Sequence, residues 1–168
     1  MSQALVTGDA PVLPTLRSAL GRFATGVTIV TCVDADGHKV GLTVNSFGAL
    51  SLDPPLVLWS LRNVSPSLEA FMASRCFAIN VLGEGQLELS RRFASPVADK
   101  FGQGVWHVGH GEVPVLNEAA AVFECETVTR QVAGDHTLFI GQVLRFADGG
   151  LRPLLFHGGR YHQLGAAL

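Results

Sequence analysis

The chain has 168 residues, of which 48% are hydrophobic and 15% are charged, and its formal net charge at pH 7 is −2. This length predicts a single domain with one hydrophobic core. The near-neutral charge, with no run of either sign, argues against nucleic acid and anionic membranes as partners. The low charged fraction suggests that some surface is hidden in a subunit interface, most simply that of a twofold homodimer.

The N-terminus and the cysteines both favour a cytoplasmic protein. Residues 1–14 lack the basic start and apolar core of a signal peptide, so we interpret them as a flexible lead-in to one domain over residues 15–168. No apolar stretch approaches the length of a membrane span. Cys32, Cys76 and Cys125 are odd in number and form no C-x-x-C motif, which indicates reduced thiols rather than disulfides or a zinc site.

The first part of the chain predicts a helix followed by antiparallel strands. Apolar residues spaced by three and four predict a short amphipathic helix, capped by Gly26, and the β-branched run that follows predicts a strand. Asp34-Ala35-Asp36-Gly37 is typical of a hairpin turn, and Pro55 bounds a further strand. These elements are expected, in order, over residues 13–24, 27–33, 39–47 and 56–61.

The second part of the chain predicts two short helices and more strands. Ser65 is placed at the cap of a helix whose first residue is Pro66. A strand, a second helix, an irregular stretch long enough to be a functional loop, and a long hairpin around Ala133-Gly134-Asp135-His136 follow. They are expected over residues 77–82, 86–93, 94–114, 122–132 and 137–147, and a last strand over 160–164 is expected to close the sheet.

This order of elements predicts a mainly β fold. About seven strands are joined by short turns, with two or three short helices and no βαβ alternation, which excludes a doubly wound nucleotide-binding sheet. We expect a closed antiparallel barrel with short peripheral helices, because closure removes the exposed edges of so many strands.

A group of short polar side chains follows the predicted strand over residues 39–47. Thr43, Asn45, Ser46 and Ser51 can converge on a polar, planar ligand, or they can form a polar turn between two strands. The sequence has no G-x-G-x-x-G motif and no P-loop, so a phosphate would be met in another way. The candidates are Ser60, Ser65 and Ser67, the first N–H groups of the helix at Pro66, and a cation such as Arg62 or Lys100.

Three segments in this order resemble the short-chain flavin reductase family, the reductase components of two-component flavin-dependent monooxygenases. They are residues 22–31, residues 43–47 with Asp53-Pro54-Pro55 after them, and Gly134-Asp135-His136 before a long strand. The resemblance implies an FMN-binding split barrel. It further implies an NAD(P)H:flavin oxidoreductase that passes hydride from NADH or NADPH to FMN or FAD and supplies a separate monooxygenase component.

The resemblance also implies a set of site residues. His136 would be catalytic, lying by the nicotinamide nucleotide and fixing the hydride donor near flavin N5; from residue types alone it is an ordinary turn residue. Thr43, Asn45, Ser46 and Ser51 would line the isoalloxazine and ribityl chain, with the phosphate end near Ser60, Ser65, Lys100 and Phe101. The full cofactor-binding set is Thr43, Val44, Asn45, Ser46, Ser51, Ser60, Leu61, Arg62, Ser65, Lys100, Phe101 and Tyr161.

Other chemistries have weaker support in the sequence. The pairs His107 and His110, and His157 and His162, lack a nearby carboxylate in ligand spacing, so no metal site is predicted. No serine or cysteine has the context of an activated nucleophile. Two alternatives to the reductase remain: a flavin-binding module for storage, sensing or electron transfer, and a flavin-dependent oxidase on a related barrel. Gly134-Asp135-His136 favours the reductase over both.

Overall fold

The structure is a computed structural model that describes residues 13–168, with side chains described from residue 15 onward. Its α-helices are α1 Leu13–Leu20, α2 Leu68–Ala73 and α3 Leu87–Ala94, and two 3-10 turns span Glu84–Gln86 and His110–Glu112. The strands are β1 Thr25–Gly26, β2 Thr28–Val33, β3 Lys39–Val44, β4 Gly48–Leu52, β5 Pro55–Arg62, β6 Cys76–Val81, β7 Trp106–Val108, β8 Pro114–Leu116, β9 Ala121–Ala133, β10 His136–Asp148, β11 Leu155–His157 and β12 Arg160–His162.

Seven of these strands form one antiparallel sheet in the order β3-β2-β6-β9-β10-β5-β4. Two small sheets accompany it, one of β1, β11 and β12 and one of β7 and β8. The predicted mainly β class with few short helices is confirmed. The predicted closure is not, because β3 and β4 are the two ends of the large sheet and are not paired with each other among the described strands.

The large sheet separates two hydrophobic clusters because successive side chains of a strand point to opposite faces. On β6, Ala78 belongs to the cluster that contains α3 and the small sheets, whereas Phe77 and Ile79 belong to the other cluster. At the centre of the second cluster, the fully buried Trp59 stacks on Phe139 with ring centroids 4.6 Å apart. The sheet is thereby covered on both faces.

Several predicted boundaries of the first part are corrected by the structure. The helix ends at Leu20, several residues before Gly26, and the strand predicted over 39–47 is divided into β3 and β4 around residues 45–47. The second α-helix begins at Leu68 rather than Pro66 because Ser65 and the residues after it form a turn. Residues 1–12 of the predicted lead-in lie outside the described residues, and residues 13 and 14 belong to α1.

The second part of the chain differs in two places. The stretch expected to be irregular, residues 94–114, contains β7 and a 3-10 turn and ends at the start of β8. The last strand is β12, which pairs with β11 in a small sheet and does not close the large one. The long hairpin of β9 and β10 is confirmed, with Gly134 and Asp135 as its two turn residues.

Candidate functional site

A polar cleft of about 440 Å³ lies where β3, β5 and β10 end or begin. Nine of the predicted site residues line it, together with Leu42, Val64 and Pro66. They come from three segments far apart in sequence, which antiparallel pairing brings to the same edge of the sheet. The nine are Thr43, Val44, Asn45, Ser46, Ser60, Leu61, Arg62, Ser65 and His136.

His136 opens strand β10 and lies directly opposite Arg62 in the ladder between β10 and β5. Its side chain is 40% exposed, and its Nδ1 donates a hydrogen bond to Asp135 Oδ1 at 2.8 Å. That hydrogen bond, supported by the charges of His136 and Arg62, lowers the pKa of the Asp135 carboxyl. The imidazole is therefore oriented by a carboxylate that remains ionised at neutral pH.

Ser46 connects the two sides of the cleft through its hydroxyl group. Its Oγ accepts a hydrogen bond from Ser60 N at 3.0 Å and donates one to Ser60 O at 2.9 Å. The Ser46 hydroxyl thus already has two main-chain partners in the protein. The residue types alone left open either a ligand contact or a polar turn for Ser46, and the resemblance implied the ligand contact.

Two other polar side chains at the cleft are not hydrogen-bonded to the protein in this way. The amide of Asn45 and the guanidinium of Arg62 form no hydrogen bond with the rest of the described chain, although both line the cleft. A neutral amide can bond the edge of a heterocycle, and a guanidinium can bind a phosphate through two parallel N–H groups. The donor set therefore suits a planar polar ring carrying an anionic tail.

Tyr161 lies in a smaller adjoining pocket of about 120 Å³, which it shares with Thr43, Val44 and Asn45. Its hydroxyl is 3.0 Å from the Oγ of Ser90 on α3, and the main-chain oxygen of Ser90 accepts a 2.7 Å hydrogen bond from Thr43 Oγ1. Ser90 is fully buried. Helix α3 therefore links two predicted site residues through one serine that sequence reasoning missed.

Lys100 and Phe101 lie outside the polar cleft. They line a separate open groove of about 600 Å³, together with residues 38–41, 67, 97–99 and 102. The Lys100 Nζ donates to Gly41 O at 3.2 Å and to Phe93 O at 3.0 Å, and burial lowers the pKa of this ammonium. In the structure Lys100 thus fastens its loop to β3 and α3. We name this groove the lysine groove.

Ser51 and Ser65 occupy positions that differ from the expected ones. Ser51 lies on β4, paired with Leu56, and is not among the residues that line the polar cleft. Ser65 lines the cleft, but its Oγ accepts a 3.3 Å hydrogen bond from Ser67 N in the turn before α2. Because α2 has only six residues and begins three residues later, the predicted N–H cluster at Pro66 is not formed.

The remaining candidates for chemistry in the described chain have structural roles. Asp34, Asp36 and His38 lie close together, but the Asp34 carboxylate accepts hydrogen bonds from the main-chain N–H groups of Asp36 and His38 and so stabilises the hairpin turn. Burial raises the pKa of Cys32 and of Cys125 to about 12, so neither thiol is ionised near neutral pH. Within residues 13–168, no helix has the length and apolar character needed to cross a membrane.

Asn63 is a second residue that sequence reasoning missed, having been taken only as the end of a strand. Its main chain and side chain contact the turn that precedes His136. A side-chain amide directly after a strand was the available signal, but its partners are more than seventy residues away. Such long-range partners cannot be identified from one sequence.

Comparisons with a family model and with individual known proteins agree with one another. The model of the "Flavin reductase like domain" family matches residues 20–165. The chain is 41% identical over 146 residues to the reductase component of the flavin-dependent trigonelline monooxygenase of Acinetobacter baylyi, which covers 87% of this chain and 47% of that protein. It is 45% identical over 145 residues to the FMN reductase (NADH) SmoA of Agrobacterium fabrum. This match covers 86% of this chain and 82% of that protein.

A solved structure extends the comparison to the fold. The NADH:FAD oxidoreductase of Streptomyces globisporus, determined in complex with NAD and FAD fragments, superposes with a TM-score of 0.86 at 34% identity and covers 92% of this chain and 93% of that one. The chain spans about half the length of two curated relatives, the Acinetobacter protein and a probable flavin reductase of Rhizobium meliloti. Over most of its length, this chain belongs to the flavin reductase like domain family.

Proposed function

We propose that this protein is an NAD(P)H:flavin oxidoreductase, which transfers hydride from a reduced nicotinamide to FMN or FAD and supplies reduced flavin to a separate monooxygenase. The observation that carries the proposal is the convergence of Asn45, Arg62 and His136 on one polar cleft from three distant segments. The Agrobacterium relative is an FMN reductase that uses NADH, and the Acinetobacter relative is a monooxygenase reductase component. Their names support the substrates and the partner proposed for this chain.

The residues present fit a flavin. Asn45 offers a free amide to a ring edge, Arg62 offers a free guanidinium to a phosphate, and the cleft volume of about 440 Å³ lies within the usual range for ligand pockets. The pocket at Tyr161 adjoins the cleft through Thr43, Val44 and Asn45 and would contact one edge of the ring system. A bound flavin would supply the hydride acceptor, because the chain offers no group that can accept a hydride.

The protein's own residues would bind and align the two cofactors. His136 would form a hydrogen bond with the nicotinamide nucleotide through Nε2 at the rim of the cleft, with its imidazole oriented by Asp135. The main-chain N–H groups of residues 45 and 46 would face the ring edge where negative charge develops. Holding both reactants in one orientation would provide most of the rate enhancement.

The lysine groove supports an extension of the flavin site toward the phosphate end. The groove and the polar cleft are lined by neighbouring residues of the chain. Gly41 and Ser67 line the groove, and the adjacent residues Leu42 and Pro66 line the cleft. A ligand that leaves the cleft past Ser65 would therefore approach Phe101 and Lys100. Contacts of Ser51, Lys100 and Phe101 with a flavin stay predictions.

We further propose that the large sheet forms a split barrel and that the protein is a cytoplasmic homodimer with one domain over residues 15–168. The hydroxyl of Ser46 joins the segment after β3 to β5, which supports a barrel-like curl.

Exposed apolar side chains such as Leu52 and Phe146, which are 94% and 75% exposed, support a subunit interface. Light scattering that finds only monomer at micromolar concentration would remove the dimer.

A turnover assay tests the main proposal. Purified protein is mixed with NADH or NADPH and an excess of FMN or FAD, and the nicotinamide absorbance is followed. Catalytic loss of NADH supports the reductase. A yellow protein that does not react with either nicotinamide would instead indicate a storage or electron-transfer module, and oxygen consumption that requires an added organic substrate would indicate an oxidase.

A further inference from the structure

The turn that carries His136 is fastened to a neighbouring residue, Asn63, which directly follows β5. The main-chain N–H of Asn63 donates to Asp135 O at 2.9 Å, and its Nδ2 donates to Gly134 O at 3.2 Å. Its Oδ1 accepts a 2.8 Å hydrogen bond from Thr137 Oγ1. One asparagine therefore contacts both turn residues and the residue after His136.

Apart from the strand pairing of β9 and β10 that closes it, the turn has little other support. Gly134 and Asp135 are exposed, and an added Cβ at Gly134 would meet no atom within 4 Å. Within residues 13–168, the only hydrogen bond of the His136 imidazole is to Asp135, whose side chain is 85% exposed. Thr137, in contrast, is only 2% exposed. The bond from Thr137 to Asn63 thus connects the exposed turn to a buried point in the sheet.

We propose that Asn63 is a positioning residue for the nicotinamide nucleotide: it holds the Gly134-Asp135 turn so that the His136 imidazole faces the polar cleft. The identity of the ligand rests on the function proposed above, whereas the restraint on the turn does not. The geometry supports this role because Asn63 immediately follows Arg62, the ladder partner of His136. Asn63 and the ladder together fix the separation of these two cleft residues.

A double-mutant cycle tests whether Asn63 acts through His136. Asn63→Ala removes two side-chain hydrogen bonds and leaves the main-chain bond to Asp135. We expect the KM for NADH to rise about fivefold, with kcat and the flavin Kd changed by less than about twofold. Combined with His136→Ala, the substitution should add nothing further to the KM of the His136→Ala protein. Independent, multiplying effects in the double variant would overturn the proposal.

A second measurement does not depend on activity. Backbone ¹⁵N relaxation should give rigid order parameters of about 0.85 for residues 134–136 in the parent and clearly lower ones in Asn63→Ala. Unchanged order at this turn would refute the restraint. Should the parent fail to oxidise NADH, the nicotinamide role falls with the proposed function, and the order parameters still decide whether Asn63 holds the turn.

Two further variants separate positioning from general destabilisation. Asn117→Ala is the matched control, because Asn117, like Asn63, donates its main-chain N–H to a main-chain oxygen and accepts a side-chain hydrogen bond at Oδ1, here from His107, but does not line the polar cleft. It should change neither the KM for NADH nor the order of residues 134–136. Thr137→Val removes only the bond to Asn63 Oδ1 and should produce a smaller rise in KM than Asn63→Ala, and it replaces that variant if Asn63→Ala fails to fold.

Discussion

At the scale of single residues, the polar cleft combines side chains that are already hydrogen-bonded to the protein with side chains whose polar groups are free for a ligand. The hydroxyls of Thr43 and Ser46 already bond main-chain atoms, whereas Asn45 and Arg62 have free polar groups. A hydroxyl with a protein partner mainly fixes the backbone around it, and a free amide or guanidinium is available to a ligand. We therefore expect substitutions at Asn45 and Arg62 to affect binding more directly than those at Thr43 and Ser46.

His136 provides the first prediction. His136→Ala should raise the KM for NADH about tenfold while changing flavin affinity little, because the imidazole is at the rim of the cleft and its loss removes one charge-assisted or neutral hydrogen bond. Steady-state kinetics with NADH and a flavin titration measure the two quantities. His107→Ala, on a hairpin remote from the cleft, is the control, and equal NADH kinetics in His136→Ala and the parent would refute the assignment.

Lys100 provides the second prediction. Lys100→Met keeps the length of the side chain but removes its hydrogen bonds to Gly41 O and Phe93 O, so the free energy of unfolding should fall by about 1–3 kcal/mol. Denaturant titration measures the loss, and Lys39→Met is the control because Lys39 is exposed in the same groove. A variant with parental stability but weakened flavin binding would show that the ammonium serves the ligand instead.

Nine of the thirteen residues assigned to the site from the sequence line one cleft, and the reasons for the other four are physical. Polar residues near a strand end could be placed by pattern alone, but the pattern does not reveal which hydroxyl is already bonded. The two carbonyls that hold Lys100 come from Gly41 and Phe93, and neither offers a side-chain signal. Ser90 and Asn63 were missed because their hydrogen-bond partners are distant in sequence.

At the scale of elements, strand β3 and helix α3 are in unusually close contact, and Gly41 makes this possible. A Cβ at this position would lie 2.7 Å from Phe93 Cε1 and 3.2 Å from Phe101 Cζ. Two residues further along the same face, Thr43 bonds Ser90 on α3. The approach of the helix at Gly41 therefore also determines where this edge of the cleft lies.

Gly41→Ala should consequently destabilise the protein by about 1–3 kcal/mol, because the rigid Phe93 ring must move to admit the methyl group. Thermal unfolding measures the change. Gly26→Ala is the matched control, since it is also a strand glycine but has no atom within 4 Å of an added Cβ. A Gly41→Ala protein as stable as Gly26→Ala would contradict the close contact, and Phe93→Leu should partly rescue the loss.

The strands were more predictable than their ends and their assembly. The apolar run after Pro55 predicted β5 and the β-branched run predicted β2, and the long hairpin of β9 and β10 was expected from its turn residues. The division of residues 39–52 into β3 and β4 was missed because no glycine or proline interrupts residues 42–47. The pairing of β12 with β11, rather than with the large sheet, depends on contacts that residue patterns do not encode.

At the scale of the whole molecule, the two hydrophobic clusters enclose all three cysteines. Because the thiolate is the reactive form and burial raises the pKa of all three thiols, to about 12 for Cys32 and Cys125, the folded protein should not react with a thiol-specific disulfide reagent at pH 8. On unfolding, three equivalents should react. Absorbance of the released thiol measures both states, and rapid labelling of the native protein would contradict the burial of these thiols.

The hydrogen bonds between Ser46 and Ser60 at the polar cleft explain how the sheet can stay open where a ligand would enter. Ser46 lies two residues before Gly48, where a continued β4–β5 register would place it opposite Ser60. It bonds Ser60 through its hydroxyl instead of through a peptide group. One hydroxyl satisfies both the N–H and the C=O of Ser60, so an interrupted ladder leaves no orphaned polar atoms on that residue. A gap in a β-sheet can in this way persist at a low cost in free energy. Replacing Ser46 with alanine would leave the main-chain N and O of Ser60 without this partner, so that they would have to bond water or a neighbouring strand.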